Sequence, residues 1–149
     1  MKRSQGMHGR SVRAFLEANT IVSGLLFHGN EAALLELGRY EALELYTNYY
    51  VLEEVVNVLG REEFSLSKEE VQGLTGYLRR CINIIEDPSW NTIRENLGLL
   101  DDKKDIPVAL GALESGVDYL ATGDKELLGS KETPAITTSK LLEEILPDG

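Results

Sequence analysis

Four carboxylates in this 149-residue chain stand where solvation does not account for them. Glu17 interrupts an apolar run over residues 14–22, and burying an unpaired charge there is costly. A strand-end acid bonded to backbone amides would explain it as well. Asp124 follows a second apolar run, residues 117–123, and could equally cap a short helix over residues 125–128. Asp105 precedes Ile106 and Pro107, the usual place of a helix-capping acid. It also shares a helix side with Ala109 and Ala112, small residues that allow close approach to a sheet. Glu53 and Glu54 both border the apolar stripe of one helix, and periodicity does not choose between them. Carboxylates crowded together repel unless cations stand between them. An all-oxygen, carboxylate-rich site suits Mg²⁺ or Mn²⁺. Such ions activate water and offset the charge of a phosphate under attack.

Chemistry of that kind needs a scaffold that carries distant segments to one edge. Strand-like and helix-like patterns alternate along the chain. Strands are expected over residues 12–16, 43–47, 81–85 and 117–121, with a short edge strand over 134–138. Helices are expected over residues 30–39, with Ala33, Leu34 and Leu37 on one face, and over 49–59, with Leu52, Val55, Val56 and Leu59 in register. Ser67 opens another with Glu70 three residues on, the capping-box arrangement. A further helix starts at Asp105 and stops at Gly116, and a last one covers residues 139–146. Strict alternation argues for a central parallel sheet with helices on both faces, a three-layer α/β/α sandwich. Ligands in such folds gather at the carboxyl ends of the strands, where strand order reverses.

Composition narrows the classes. The length suits one domain, at roughly 100–200 residues per domain, and 42% hydrophobic with 27% charged residues is a globular balance. No apolar stretch approaches the ~18 residues of a membrane span, and no apolar region follows the basic start as in a secretory signal. One cysteine, Cys81, cannot form an internal disulfide and fits a reducing cytoplasm. With only His8 and His28 beside it, a cysteine-based zinc site is excluded. The net charge is −10, from 25 acids against 15 bases, yet residues 1–13 hold four bases (Lys2, Arg3, Arg10, Arg13) and no acid. Met7 is as good a start as Met1. So acidic a body repels nucleic acid unless metal ions or a local basic patch compensate. Beyond the N-terminal arm, Arg79, Arg80, Arg94, Lys103 and Lys104 are the groups available for phosphate contact. Trp90 and the tyrosines have rings able to stack on bases, although a tryptophan between a strand and a helix reads first as packing. No glycine-rich phosphate motif follows the first strand, which excludes the common nucleotide-binding folds. Ser23 has no partner resembling a base. A phosphoacceptor signalling domain would need an acidic pair closing the first strand and a lone aspartate closing the third. Here the first strand ends on Glu17 alone, and Glu86-Asp87 runs into Pro88.

The segments Phe15-Leu16-Glu17-Ala18-Asn19-Thr20-Ile21-Val22-Ser23, Val51-Leu52-Glu53-Glu54-Val55, Asp102-Lys103-Lys104-Asp105-Ile106-Pro107-Val108 and Tyr119-Leu120-Ala121-Thr122-Gly123-Asp124-Lys125-Glu126-Leu127-Leu128 resemble PIN-domain proteins in order and spacing. The likeness covers residues 12–146, which leaves residues 1–11 as a basic extension expected to be disordered. It implies an α/β/α sandwich around a parallel sheet and a metal-dependent ribonuclease acting on single-stranded RNA. It places the family's acids on Glu17, Glu54, Asp105 and Asp124, with Glu17, Asp105 and Asp124 as metal ligands for Mg²⁺ or Mn²⁺. Thr122 matches the family's hydroxyl before the last acid, and Asn19 matches an asparagine that serves as a structural hydrogen-bonder. Many members are the toxin halves of toxin–antitoxin pairs and dimers are common, so an antitoxin protein and a second copy of the chain are implied partners. One departure stands out: the family carries aspartate where this chain has Glu17. The extra methylene moves the carboxylate outward by on the order of 1 Å, while metal sites hold distances to about ±0.2 Å. The expectation is a site that binds metal more weakly, or prefers Mn²⁺, and cuts slowly or not at all; a PIN fold that only binds is the alternative.

Overall fold

The computed structural model describes residues 11–146, so all of the basic extension except Ser11 lies outside the described residues. In chain order the elements are β1 (Arg13–Leu16), α1 (Ala18–Leu26), α2 (Asn30–Arg39), β2 (Glu44–Asn48), α3 (Tyr49–Leu59), α4 (Lys68–Cys81), β3 (Asn83–Ile85), α5 (Trp90–Glu95), α6 (Ile106–Ser115), β4 (Tyr119–Ala121), α7 (Lys125–Gly129), β5 (Ala135–Ile136) and α8 (Thr138–Ile145). The five strands form one parallel sheet in the order β3-β2-β1-β4-β5. Register sets the layers. Phe15 pairs with Tyr46 and Ala14 with Leu45, so Phe15 and Leu45 face opposite sides of the sheet. A Cβ on Gly111 of α6 would meet the Phe15 ring, whereas one on Gly38 of α2 would meet Leu45. Helix α6 therefore covers one face and α2 the other, which is the three-layer sandwich that the alternating pattern implies.

The core is central. Phe15, Leu16, Leu45, Ile106 and Leu120 are buried from strands and helix together. The end of α6 is set by Gly116 at φ +68, a left-handed position that glycine adopts without steric cost. The start of α4 is the capping box read from the sequence: Ser67 accepts the Glu70 amide and Glu70 accepts the Ser67 amide.

Three details differ from the sequence reading. The apolar run over 14–22 is a strand and then a helix, α1, with Glu17 at the joint. Cys81 ends α4 instead of opening β3, because the cap falls at Ile82. Residues 90–95 form the short helix α5, opened by Ser89, whose hydroxyl accepts the Thr92 amide at 3.1 Å. Among the described residues no helix is long and apolar enough to cross a membrane.

Candidate functional site

The strand order reverses between β1 and β4, which carry the chain to opposite sides of the sheet. A crevice opens at the carboxyl ends of two such strands. Glu17 directly follows β1, and Asp124 comes three residues after β4. Both hold a helix start. Glu17 is 7% exposed, and its Oε1 accepts the Thr20 amide at 2.9 Å and the Thr20 hydroxyl at 3.1 Å. Asp124 Oδ1 accepts the Leu127 amide at 3.0 Å. The capping explanations considered for these two acids thus hold, yet each cap engages one carboxylate oxygen. Glutamate is a rare N-cap because its reach is long. Here the extra methylene lets the side chain fold back onto its own helix.

Asp105 behaves otherwise. It is the acid that sequence position assigns most strongly to capping, but its side chain makes no cap hydrogen bond to α6. It sits at the end of a single 3-10 turn, Lys103–Asp105, that Asp102 caps by accepting the Lys104 amide at 3.0 Å. With no donor to stabilise its charge, Asp105 is pushed up to about 6, by burial first and then by Asp124, Asp102, Glu17 and Glu126. Glu17 is also raised, chiefly by burial, which outweighs the two Thr20 bonds; Asp124 and Glu54 push the same way. Three elements from distant parts of the chain therefore bring Glu17, Asp105 and Asp124 within electrostatic reach of each other. Glu54 joins from an exposed position on α3 and acts on Glu17 and on Tyr50.

Among the described residues no salt bridge reaches these acids: the ion pairs are Arg13–Glu44 at 3.6 Å and Arg39–Glu36 at 3.9 Å. The donor chemistry, carboxylate oxygens outside those salt bridges, fits a hard divalent cation. Among the described residues, however, no three acidic, histidine or cysteine side chains already stand as a metal-holding group. The side chains would have to draw together to hold an ion.

The supporting residues divide. Thr122 is buried, and its hydroxyl accepts the Asp124 amide at 3.0 Å, which fixes the turn that presents Asp124. Asn19 is exposed and makes no side-chain hydrogen bond among the described residues; the hydrogen-bonder next to Glu17 is Thr20. Thr20 went unread in the sequence, although a hydroxyl residue three positions after a strand-end acid is a cap-partner signal. Asn48 and Glu126 also went unread. Buried Asn48 caps α3 through Val51 and donates to the Pro107 carbonyl at 3.3 Å, tying the start of α6 to the end of β2. Glu126 accepts the amides of Asp101 and Asp102, closing the loop that leads to Asp105. Lys103 and Lys104 flank Asp105 and are exposed. Arg79 and Arg80 are not brought to this edge. They occupy the last turn of α4, which leads into β3 through Ile82, and so lie at the amino end of the sheet. Asp87, beyond β3, accepts the Tyr50 amide at 2.9 Å on an edge strand, away from the strand reversal where a phosphoacceptor would sit.

A family model described as the PIN domain matches residues 13–126 of the chain. The fold is similar to PAE2754 from Pyrobaculum aerophilum, with a TM-score of 0.63 and 21% identity over 90% of this chain and 95% of that one. It is also similar to VapBC2 from Rickettsia felis, solved bound to a DNA fragment from their promoter, with a TM-score of 0.65 and 18% identity over 85% of this chain and 98% of that one. None of the curated proteins matches the chain.

Proposed function

The chain belongs to the PIN-domain family, and from that premise we propose that it hydrolyses phosphodiester bonds of single-stranded RNA at its acidic edge, with Mg²⁺ or Mn²⁺ as cofactor. The observation that carries this reading is the set of carboxylates at the strand reversal, of which Glu17 and Asp105 are raised by burial first and then by neighbouring acids. Asp105 and Asp124 are the principal metal carboxylates, with Glu17 as a third ligand through the oxygen its cap leaves free. A divalent ion there supplies the positive charge that offsets the acids and the phosphate and lowers the pKa of water. Glu54 orients the attacking water from the rim. Thr122 holds Asp124 in place, and Lys103 and Lys104 meet the phosphates on either side. Family membership is the ground for proposing a toxin–antitoxin role in the cytoplasm, with a homodimer as the working form and an antitoxin as partner; the fold shared with VapBC2 agrees with it. An antitoxin that places a cationic side chain among the four acids would meet the same charge requirement as the metal.

Cleavage of a labelled single-stranded RNA with Mn²⁺ or Mg²⁺, native chain against Asp124→Asn, tests the proposal. Metal-dependent cutting that disappears in the variant is the expected result. Cutting that persists in Asp124→Asn, or that ignores chelation, would overturn it. A second reading, a PIN fold that binds without cutting, is favoured by one observation: Glu17, where the family carries aspartate, folds back onto its own helix to accept both Thr20 donors. Under that reading the native chain is silent and Glu17→Asp restores cutting.

A further inference from the structure

Trp90 lies outside the core. Among the described residues it is the most open of the large apolar side chains, at 72% exposure, and Tyr49, which follows the neighbouring strand β2, is 46% exposed. This corrects the expectation that a tryptophan between strand and helix belongs to the core. Exposing two aromatic rings to water is unfavourable unless something covers them, and their place indicates what does. β3 and β2 end at Ile85 and Asn48, so the chain leaves both strands at the same carboxyl edge that bears the acids. Along that edge the strand order sets out Trp90 after β3, Tyr49 after β2, Glu17 after β1 and Asp124 after β4. Two strand spacings, about 10 Å, separate the Trp90 strand from β1.

The segment bearing Trp90 is tied down. Asp87 accepts the Tyr50 amide at 2.9 Å, the Tyr50 hydroxyl donates to the Lys104 carbonyl at 2.7 Å, and Lys103 Nζ donates to the Leu97 carbonyl at 2.7 Å. These bonds fix the start of α3, the stretch around α5 and the turn before Asp105 against one another. Arg94 lies one helical turn after Trp90 and on the same side of α5, whereas Glu95 is about 100° further round. Arg94, Lys103 and Lys104 are exposed and offer cations to a phosphate backbone beside the Trp90 ring, within a stretch that also exposes Glu86, Asp87, Glu95, Asp101 and Asp102.

We infer that Trp90, with Tyr49, is a stacking platform for unpaired bases of the RNA flanking the cut phosphate, and that Arg94 and Lys104 hold the backbone on either side. The inference rests on the ribonuclease reading and names how that site selects single strands: only unpaired bases offer a free face to an aromatic ring. A second copy of the chain is the alternative occupant. A two-fold interface would set this patch against itself, and the dependence of the Trp90 emission on protein concentration separates that occupant from RNA.

Trp90 is the single tryptophan of the chain, so its fluorescence reports on this face alone. The full chain is titrated with an oligoadenylate of about 12 nucleotides in Mg²⁺, and read before cleavage proceeds. Saturable quenching is expected. Trp90→Ala is expected to weaken binding of a labelled oligoadenylate about 5- to 150-fold and Trp90→Phe much less. In cleavage the loss appears in KM, with kcat at saturation unchanged. Thermal unfolding of Trp90→Ala stays close to that of the native chain, because the ring is mostly exposed. Cleavage without quenching, or with unchanged KM in Trp90→Ala, would overturn the platform and leave the nuclease standing. Emission that follows protein concentration instead of RNA would overturn it in favour of a second copy. If the native chain shows neither quenching nor cleavage, both readings fall.

Discussion

At the carboxyl edge of the sheet, Glu17, Asp105 and Asp124 meet where three helices begin; at the amino edge, Arg39, Arg79 and Arg80 line a cleft of about 390 Å³ where α2 and α4 end. Helix starts favour anions and helix ends favour cations, so the backbone alone accounts for the sign at each edge. It does not account for the balance. The amino edge is internally paired: Arg13 meets Glu44 at 3.6 Å and stacks over Tyr46, Arg39 meets Glu36 at 3.9 Å and donates to Tyr40, and Arg80 lies over Tyr77. Glu41 and Glu44 line the same cleft. At the carboxyl edge Glu17 and Asp105 are raised, by burial first and then by neighbouring acids. A charge that the fold leaves unbalanced marks where a ligand of opposite charge belongs.

The contrast breaks most directly by mutation. Asp124→Asn is expected to lower metal-dependent RNA cleavage by at least about 100-fold, while Arg79→Gln with Arg80→Gln changes it by no more than about twofold; initial rates on one labelled RNA measure both. Equal losses would mean that substrate spans both edges. The next largest effect separates support of the two edges. A Cβ on Gly38 would stand 2.5 Å from the Cys81 carbonyl oxygen, and one on Gly111 would stand 2.7 Å from Asn48 Nδ2 and 2.9 Å from Phe15 Cζ. Each alanine variant is expected to lose about 1–3 kcal/mol in urea unfolding. Of the two, Gly111→Ala also slows cleavage, because Asn48 holds the start of α6 beside Asp105.

The smallest effect is electrostatic. Asp105 is raised to about 6 in the folded chain, so the fold favours its protonated form and its contribution to stability is lost as pH rises through that value. In chelator at pH 7, Asp105→Asn is expected to be more stable than the native chain by about 0.5–1 kcal/mol, allowing for solvent screening. The difference should vanish below about pH 3, where the aspartate is neutral in both states. Mg²⁺ should reverse the order, stabilising the native chain more than the variant.

Most of the fold was legible because apolar spacing specifies it. The helices over Asn30–Arg39 and Tyr49–Leu59 and the Ser67–Glu70 box appear where the pattern puts them, although Ala33 and Val56, read on the apolar faces, are exposed while Leu35 and Val58 are buried. α1 was hidden because strand and helix join inside one apolar run, where period-2 and period-3.6 signals blur. The carboxylates were legible as acids out of place. What each carboxylate does locally was not, since capping depends on backbone angles: Glu17 caps and Asp105, in the better capping position, does not. Arg79, Arg80 and Arg94 all stand in the last turn of their helices; they part because α4 ends where β3 begins, whereas α5 follows the end of β3. Trp90 was misread for a related reason, because a six-residue helix buries too little to show which side faces the core.

Proton release on metal binding tests the central claim most directly. Mn²⁺ is titrated calorimetrically into the full chain at pH 6 and pH 8, in buffers of differing ionisation enthalpy. A cation at the acidic edge must displace the proton that Asp105 partly holds at pH 6. Binding with proton release at pH 6, little release at pH 8, and loss of the release in Asp105→Asn is the expected result. No Mn²⁺ binding at either pH, or binding with the same proton count in the native chain and Asp105→Asn, would contradict the account.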